Sequence, residues 1–156
     1  GMIVDLTHGT PKLREEAYEL WRNQPHKRPL LMSHVGVSVL QPHPMNPTPD
    51  DIRAIAATGG AVGIIAMTHW LHAPKKPRLA DVIYDTVDHL MQHGGEDVVA
   101  FGSDFDGFTG PPRDWASPAD YANVRTLLQA RYTDAQVEKF CGGNAARVLR
   151  DGWEKH

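Results

Sequence analysis

Three residues in this 156-residue chain have types and positions suited to chemistry: His8, His34 and Asp104. Each lies just past a short apolar run, where a strand would give way to a loop. His8 follows Met2–Leu6, His34 follows Pro29–Met32, and Asp104 follows Asp97–Phe101. Strands that run parallel and adjacent lie about 5 Å apart. Two imidazoles at the ends of such neighbours can share one divalent cation at about 2.0–2.1 Å each. A carboxylate at the end of a later strand can then orient or deprotonate a water whose acidity the cation raises. His69 follows a fourth apolar run at a slightly greater distance, which makes it a residue lining the mouth rather than a ligand. His89 and His93 fall inside a helical pattern and read as structural or exposed. Asp106 either supports Asp104 from behind or fixes the turn before Gly107.

The elements that must position these groups alternate regularly. After the first run, Thr10 can cap a helix, with Pro11 suited to its first position. Leu13, Ala17, Leu20 and Trp21 then mark its apolar stripe. After the second run, a Pro-rich loop leads to Thr48-Pro49-Asp50-Asp51, a capped helix start with acid in the first turn; the helix stops at Gly59-Gly60. Ala61–Ala66 predicts a third strand. A helix over about Leu79–Gln92 carries Val82, Ile83, Val87, Leu90 and Met91 and ends at Gly94-Gly95. Three helical stretches close the chain, opened by Ser117-Pro118, by a Thr133/Gln136 capping box and by Asn144 as a cap. Strands that are continuously apolar and alternate with helices predict a parallel sheet buried on both faces.

Two parallel architectures compete. A doubly wound sheet wants a glycine-rich phosphate turn after its first strand, and His8-Gly9-Thr10 is not one. A barrel wants its polar groups at the C-terminal ends of its strands, where His8, His34, His69 and Asp104 fall. The expected fold is therefore α/β of (β/α) barrel type: about four parallel units, half of a TIM-like barrel, plus C-terminal helices. The expectation is a single domain over residues 1–156. An eight-stranded barrel takes at least about 200 residues, so a half-barrel of this length would leave two open strand edges. Its expected partner is a second copy or a missing N-terminal half.

Composition narrows the classes. A formal net charge of -3 provides no basic field for nucleic acid, and no apolar stretch is long enough for a membrane helix. The lone Cys141 rules out an internal disulfide and is expected to be a small buried hydrophobe. Gly1–Leu6 has no charged leader-like start, so the expected location is cytoplasmic, with any signal lying outside the segment.

Four motifs carry a family resemblance: Asp5-Leu6-Thr7-His8, Met32-Ser33-His34, Phe101-Gly102-Ser103-Asp104-Phe105-Asp106-Gly107, and Phe140-Cys141-Gly142-Gly143-Asn144-Ala145-Ala146-Arg147-Val148-Leu149. In this order they resemble the renal (membrane) dipeptidase family of zinc peptidases, over the C-terminal half or so of its domain. The resemblance implies a (β/α)8 barrel, a two-zinc site and hydrolysis of dipeptides, including those with a C-terminal D-residue. It implies that His8 and His34 are the two histidine ligands of one zinc, and that Asp104 handles the proton of the attacking water and leaving amine. The family's His-x-Asp pair and bridging glutamate have no counterpart here. Met45, in His43-Pro44-Met45-Asn46, stands where the family has a substrate-binding arginine, and a thioether cannot grip a carboxylate in two places.

The leading expectation is thus a zinc-dependent hydrolase of dipeptides or related small amides, incomplete as this chain alone. The competing expectation is a non-catalytic metal-binding or scaffold half-barrel.

Overall fold

A computed structural model describes residues 2–71 and 77–153. Its frame is four β/α units: β1 (Val4–Asp5), α1 (Pro11–Arg22), β2 (Leu30–Val35), α2 (Pro49–Ala57), β3 (Ala61–Ile64), α3 (Ala80–Gly94) and β4 (Val99–Phe101). Three helices follow, α4 (Tyr121–Gln129), α5 (Asp134–Glu138) and α6 (Asn144–Trp153). The strands form one parallel sheet in chain order, β1-β2-β3-β4. Sequential order with a helix after each strand is the winding of a barrel wall; a doubly wound sheet reverses its order at a switch point.

Local chemistry starts and stops these helices where the sequence predicts. Thr10 accepts a hydrogen bond from Leu13 N at 3.3 Å, with Pro11 at the first helical position. Thr48 and Asp51 form a reciprocal capping box, as do Thr133 and Gln136. Gly95, at φ 78°, ends α3 in a backbone region that side chains disfavour.

One face of the sheet packs on α2 and α3. Met32, Val62, Ile64 and Val99 meet Ile52, Ile55, Ile83, Val87 and Leu90 in one buried cluster. The other face is lined by small residues. Ala61 and Ala100 pack on Val148 of α6, with Ile3 and Leu31 beside them. α6 runs across the N-terminal ends of the strands. Arg147 donates to the carbonyls of Gly59, Gly60 and Asp97, just before β3 and β4, and Arg28, just before β2, donates to Asp151 and Gly152 at the end of α6. This end of the half-barrel is therefore closed by a helix, and the other carries the loops.

Curvature comes from two glycines. A Cβ on Gly63 would lie 2.0 Å from the Ser33 carbonyl oxygen, and one on Gly102 would lie 1.7 Å from it. Only glycine lets β2 lean this far over β3 towards the end of β4.

Three expectations are corrected. The α1 stripe exists, but Leu13 and Leu20 are 49% and 65% exposed while Arg14 and Tyr18 are buried. The helix turns a polar face to α2, and Ala17, Leu20 and Trp21 line an open groove with Met2, Val4 and Leu30 along β1. Cys141 is exposed, because it sits on the outward side of the π-helical turn Lys139–Gly143 while Phe140 takes the core position. Asn144 does not cap α6: past a kink at Gly142 its own backbone is already helical, at φ -66° and ψ -44°, and its buried side chain instead donates to the carbonyls of Glu96 and Val99, both at 2.8 Å.

Candidate metal centre at the strand ends

The mouth is built by the segments that leave β1, β2 and β4. His8 has φ 63° and Asp104 has φ 57°; with Asp106 at 69° they are the non-glycine residues with left-handed backbone among the described residues. That region costs a residue with a Cβ about 1–2 kcal/mol, so the surrounding structure must enforce it. Two of the three are residues to which the sequence assigns chemistry.

The result is convergence. His8 Nε2 and His34 Nε2 stand 3.1 Å apart, and Asp104 Oδ2 lies 4.0 Å from His34 Nε2. His34 is held from behind. Its Nδ1 is 2.8 Å from Ser33 Oγ, which is 3.3 Å from Thr7 Oγ1. When Nδ1–H donates to Ser33, the Nε2 lone pair is left facing His8, which is the arrangement a ligating imidazole needs. Ser33 and Thr7 flank the two histidines in sequence, so each strand end carries its own support. Asp5 joins them: its Oδ1 accepts from the backbone N–H of Thr7 at 3.0 Å and of Ser33 at 3.1 Å. Burial alone would raise its pKa, but the hydrogen bonds from Ser33 and Thr7 outweigh it and hold the carboxyl below its ordinary value.

Two nitrogens 3.1 Å apart fit one divalent cation. At about 2.05 Å from each, the angle at the cation is about 100°, close to tetrahedral. Among the described residues, no three His, Cys, Asp or Glu side chains gather closely enough to hold a cation together. The pair thus offers two candidate ligands, with Asp104 across from them.

Asp104 is seated by Gly107. A Cβ there would fall 2.5 Å from Asp104 Oδ1, so the carboxylate folds over a position that must stay bare. The turn is closed by Gly107 N–H donating to the Asp104 carbonyl at 3.0 Å. Phe105 packs edge-on against the buried Trp115 and anchors it.

The remaining candidates divide. His69 is exposed and lies within reach of Gly110 in the next loop, outside the histidine pair. Asp106 is exposed in the turn. His89 and His93 stack on each other on α3, away from the mouth, and His93 Nδ1 lies 3.0 Å from Arg53. Met45 is half-buried against the core. Trp70 went unread in the sequence. Its ring stands 5.3 Å from His8 and 4.9 Å from His43 and forms a wall beside the pair. Asn46, also unread, is buried: it accepts from Gly36 N–H at 2.8 Å and donates to the Gln41 and Trp70 carbonyls. Its signal was present as an asparagine set directly before Pro47 in a Pro-rich loop.

A parallel half-barrel with a histidine pair and an aspartate at its C-terminal strand ends is the architecture of a barrel metallohydrolase. The profile of the membrane dipeptidase family, peptidase family M19, matches residues 1–154, and the chain belongs to that family. It is 33% identical to dipeptidase tcpJ of Claviceps purpurea over 97% of this chain and 35% of the relative. An uncharacterized protein in the pqqA 5' region of Klebsiella pneumoniae is 32% identical, over 99% of this chain and 56% of its own length. A Rhodobacter sphaeroides metallopeptidase, solved with a phosphinate mimic of the dipeptide L-Ala-D-Ala, superposes with a TM-score of 0.85 at 26% identity, over 96% of this chain and 42% of that one. The chain therefore spans from about a third to just over half the length of these relatives.

Proposed function

We propose that this chain supplies half of the active centre of a zinc-dependent dipeptidase: His8 and His34 hold one cation, and Asp104 carries protons. The supporting observation is the 3.1 Å separation of the two Nε2 atoms, with the Asp104 carboxylate 4.0 Å from one of them. The bound cation supplies Lewis acidity, which polarises a carbonyl and lowers the pKa of water.

The chain's own residues do the rest. Ser33 fixes the His34 tautomer and ring plane, and the left-handed turn at His8 brings the second ring against the first. Asp104 takes a proton from the attacking water and returns it to the leaving amine, the work of a general base and then a general acid. The Trp70 ring beside His8 keeps one side of the centre dry. The substrate class is a dipeptide or a related small amide. With Met45 in the Pro-rich loop, a free carboxylate must find its cation elsewhere in the complete centre. The open groove along β1 is where further barrel units add, from the same protein or from a second copy.

The test is Asp104→Asn in the active protein. Loss of a positioned acid–base lowers kcat about 10²–10⁴-fold, with zinc content unchanged. Undiminished turnover by that variant would remove Asp104 from the chemistry.

The scaffold reading is opposed by the strained backbone at His8 and Asp104. A wall that only packs has no use for two left-handed non-glycine residues at one mouth.

A further inference from the structure

Arg14 is the most deeply buried charged side chain described, at 1% exposed, and the centre itself does not use it. Its guanidinium makes a two-point contact with Asp51, from Nε to Oδ1 at 3.2 Å and from Nη2 to Oδ2 at 3.1 Å. The remaining nitrogen, Nη1, donates to two backbone carbonyls, Gly9 O at 2.8 Å and Pro44 O at 3.0 Å. Gly9 directly follows His8, and Pro44 lies between His43 and Met45 in the loop after β2. Asp51 is fixed in turn by Thr48, through its backbone N–H and hydroxyl at 2.9 Å each, and by the Tyr18 hydroxyl at 3.0 Å.

This arrangement exceeds what packing α1 on α2 requires. Two leucines would join those helices at lower cost, because burying an ion pair forfeits hydration that its mutual attraction barely restores. What leucines cannot do is hold two loop carbonyls in fixed directions. We propose that Arg14 is a positioning residue for the histidine pair: by gripping the Gly9 and Pro44 carbonyls from a frame anchored on Asp51, it holds the His8 turn in its left-handed form and sets the His8–His34 separation. The inference rests on the two-histidine reading of the centre, and it concerns the geometry of the pair before any cation binds.

The test compares the parent protein with Arg14→Lys and with the double variant Arg14→Met, Asp51→Leu. The double variant removes the ion pair without leaving a buried charge. It also removes the Thr48–Asp51 capping box and the acceptor of the Tyr18 hydroxyl, so its thermal midpoint falls below the parent's and its native fold is checked first by circular dichroism. Two readouts are taken: the NOE between the His8 and His34 rings in chelator-treated protein, and zinc affinity by calorimetry. The expected result is loss of the NOE and a zinc affinity about 10–100-fold weaker in the double variant, the range seen when supporting partners of ligands are removed. Arg14→Lys keeps the charge but not the fork. It falls between the two, with the NOE weakened. A stable double variant that keeps the NOE and the parent's zinc affinity would overturn the proposal. If the parent shows the NOE yet binds no zinc, and the double variant loses the NOE, Arg14 is upheld as the positioning residue and the metal reading falls instead.

Discussion

The two ends of the half-barrel handle polar atoms in opposite ways. At the closed end, Arg147, Arg28 and Asn144 are aimed at backbone carbonyls of the strand starts and of α6. Their hydrogen bonds close on the protein itself, and the left-handed positions there, Gly59 and Gly95, are glycines. At the mouth, His8 and His34 face each other across 3.1 Å with Asp104 nearby, and His8 and Asp104 are held at positive φ. The closed end is organised for stability, and the mouth keeps ligand-capable atoms directed at a shared point at the expense of stability. Helix termini and strand starts need their carbonyls satisfied wherever they are buried; imidazoles brought together without a carboxylate between them need another reason.

Substitutions at each end should therefore act on different observables. His34→Ala has the largest expected effect: zinc affinity falls more than about 100-fold, beyond what losing a supporting partner costs, with the thermal midpoint little changed. Titration calorimetry checks the affinity and scanning calorimetry the midpoint, and a large stability loss with intact affinity would reverse the contrast. Asn144→Ala, at the closed end, removes two bonds, one to the part-buried carbonyl of Glu96 and one to the buried carbonyl of Val99. The expected cost is about 2–3 kcal/mol in urea unfolding, with zinc affinity unchanged. Gly107→Ala drives a methyl into the Asp104 carboxylate. Turnover of the complete enzyme should fall about tenfold while stability moves by less than about 1 kcal/mol, since the turn is exposed.

The smallest effect concerns pH. Burial alone would raise the Asp51 pKa, but the hydrogen bonds from Thr48 and Arg14 and the Arg14 charge outweigh it and hold it below the ordinary 3.8. A folded value below the unfolded one gives stability that is full above 3.8 and is lost as pH falls through the folded value. Urea midpoints of the parent should drop as pH falls below about 4, and Asp51→Asn should flatten that slope. An unchanged slope would mean that the acid sensitivity arises at the mouth instead, where Asp5 is held low in the same way.

Much of the frame was legible because it is local. Thr10-Pro11, Thr48 with Asp51 and Thr133 with Gln136 start helices through contacts three residues apart, and such signals survive in a linear reading. The strands were read from their apolar runs and then shortened. β1 keeps only Val4–Asp5 and β4 begins at Val99, because a ladder needs a neighbour as well as a pattern. The α1 stripe was read correctly as apolar, but what lies opposite each face of the helix was not read. Periodicity identifies a stripe but not what lies opposite it, and here Arg14 and Tyr18 found Asp51, 37 and 33 residues away. Asn144 was misread for the same reason: its partners, Glu96 and Val99, lie 48 and 45 residues back in the chain.

The sequence by itself determined the winding, the starts of α1, α2 and α5 and the candidates His8, His34 and Asp104, since each of these follows from runs, caps and motifs a few residues long. The tertiary structure decided that the two Nε2 atoms meet at 3.1 Å, that Gly63 and Gly102 let β2 lean over β3 and β4, and that a buried arginine fastens two loops of the mouth. Those are distances between segments far apart in the chain, and they are set by how the whole sheet curves and packs.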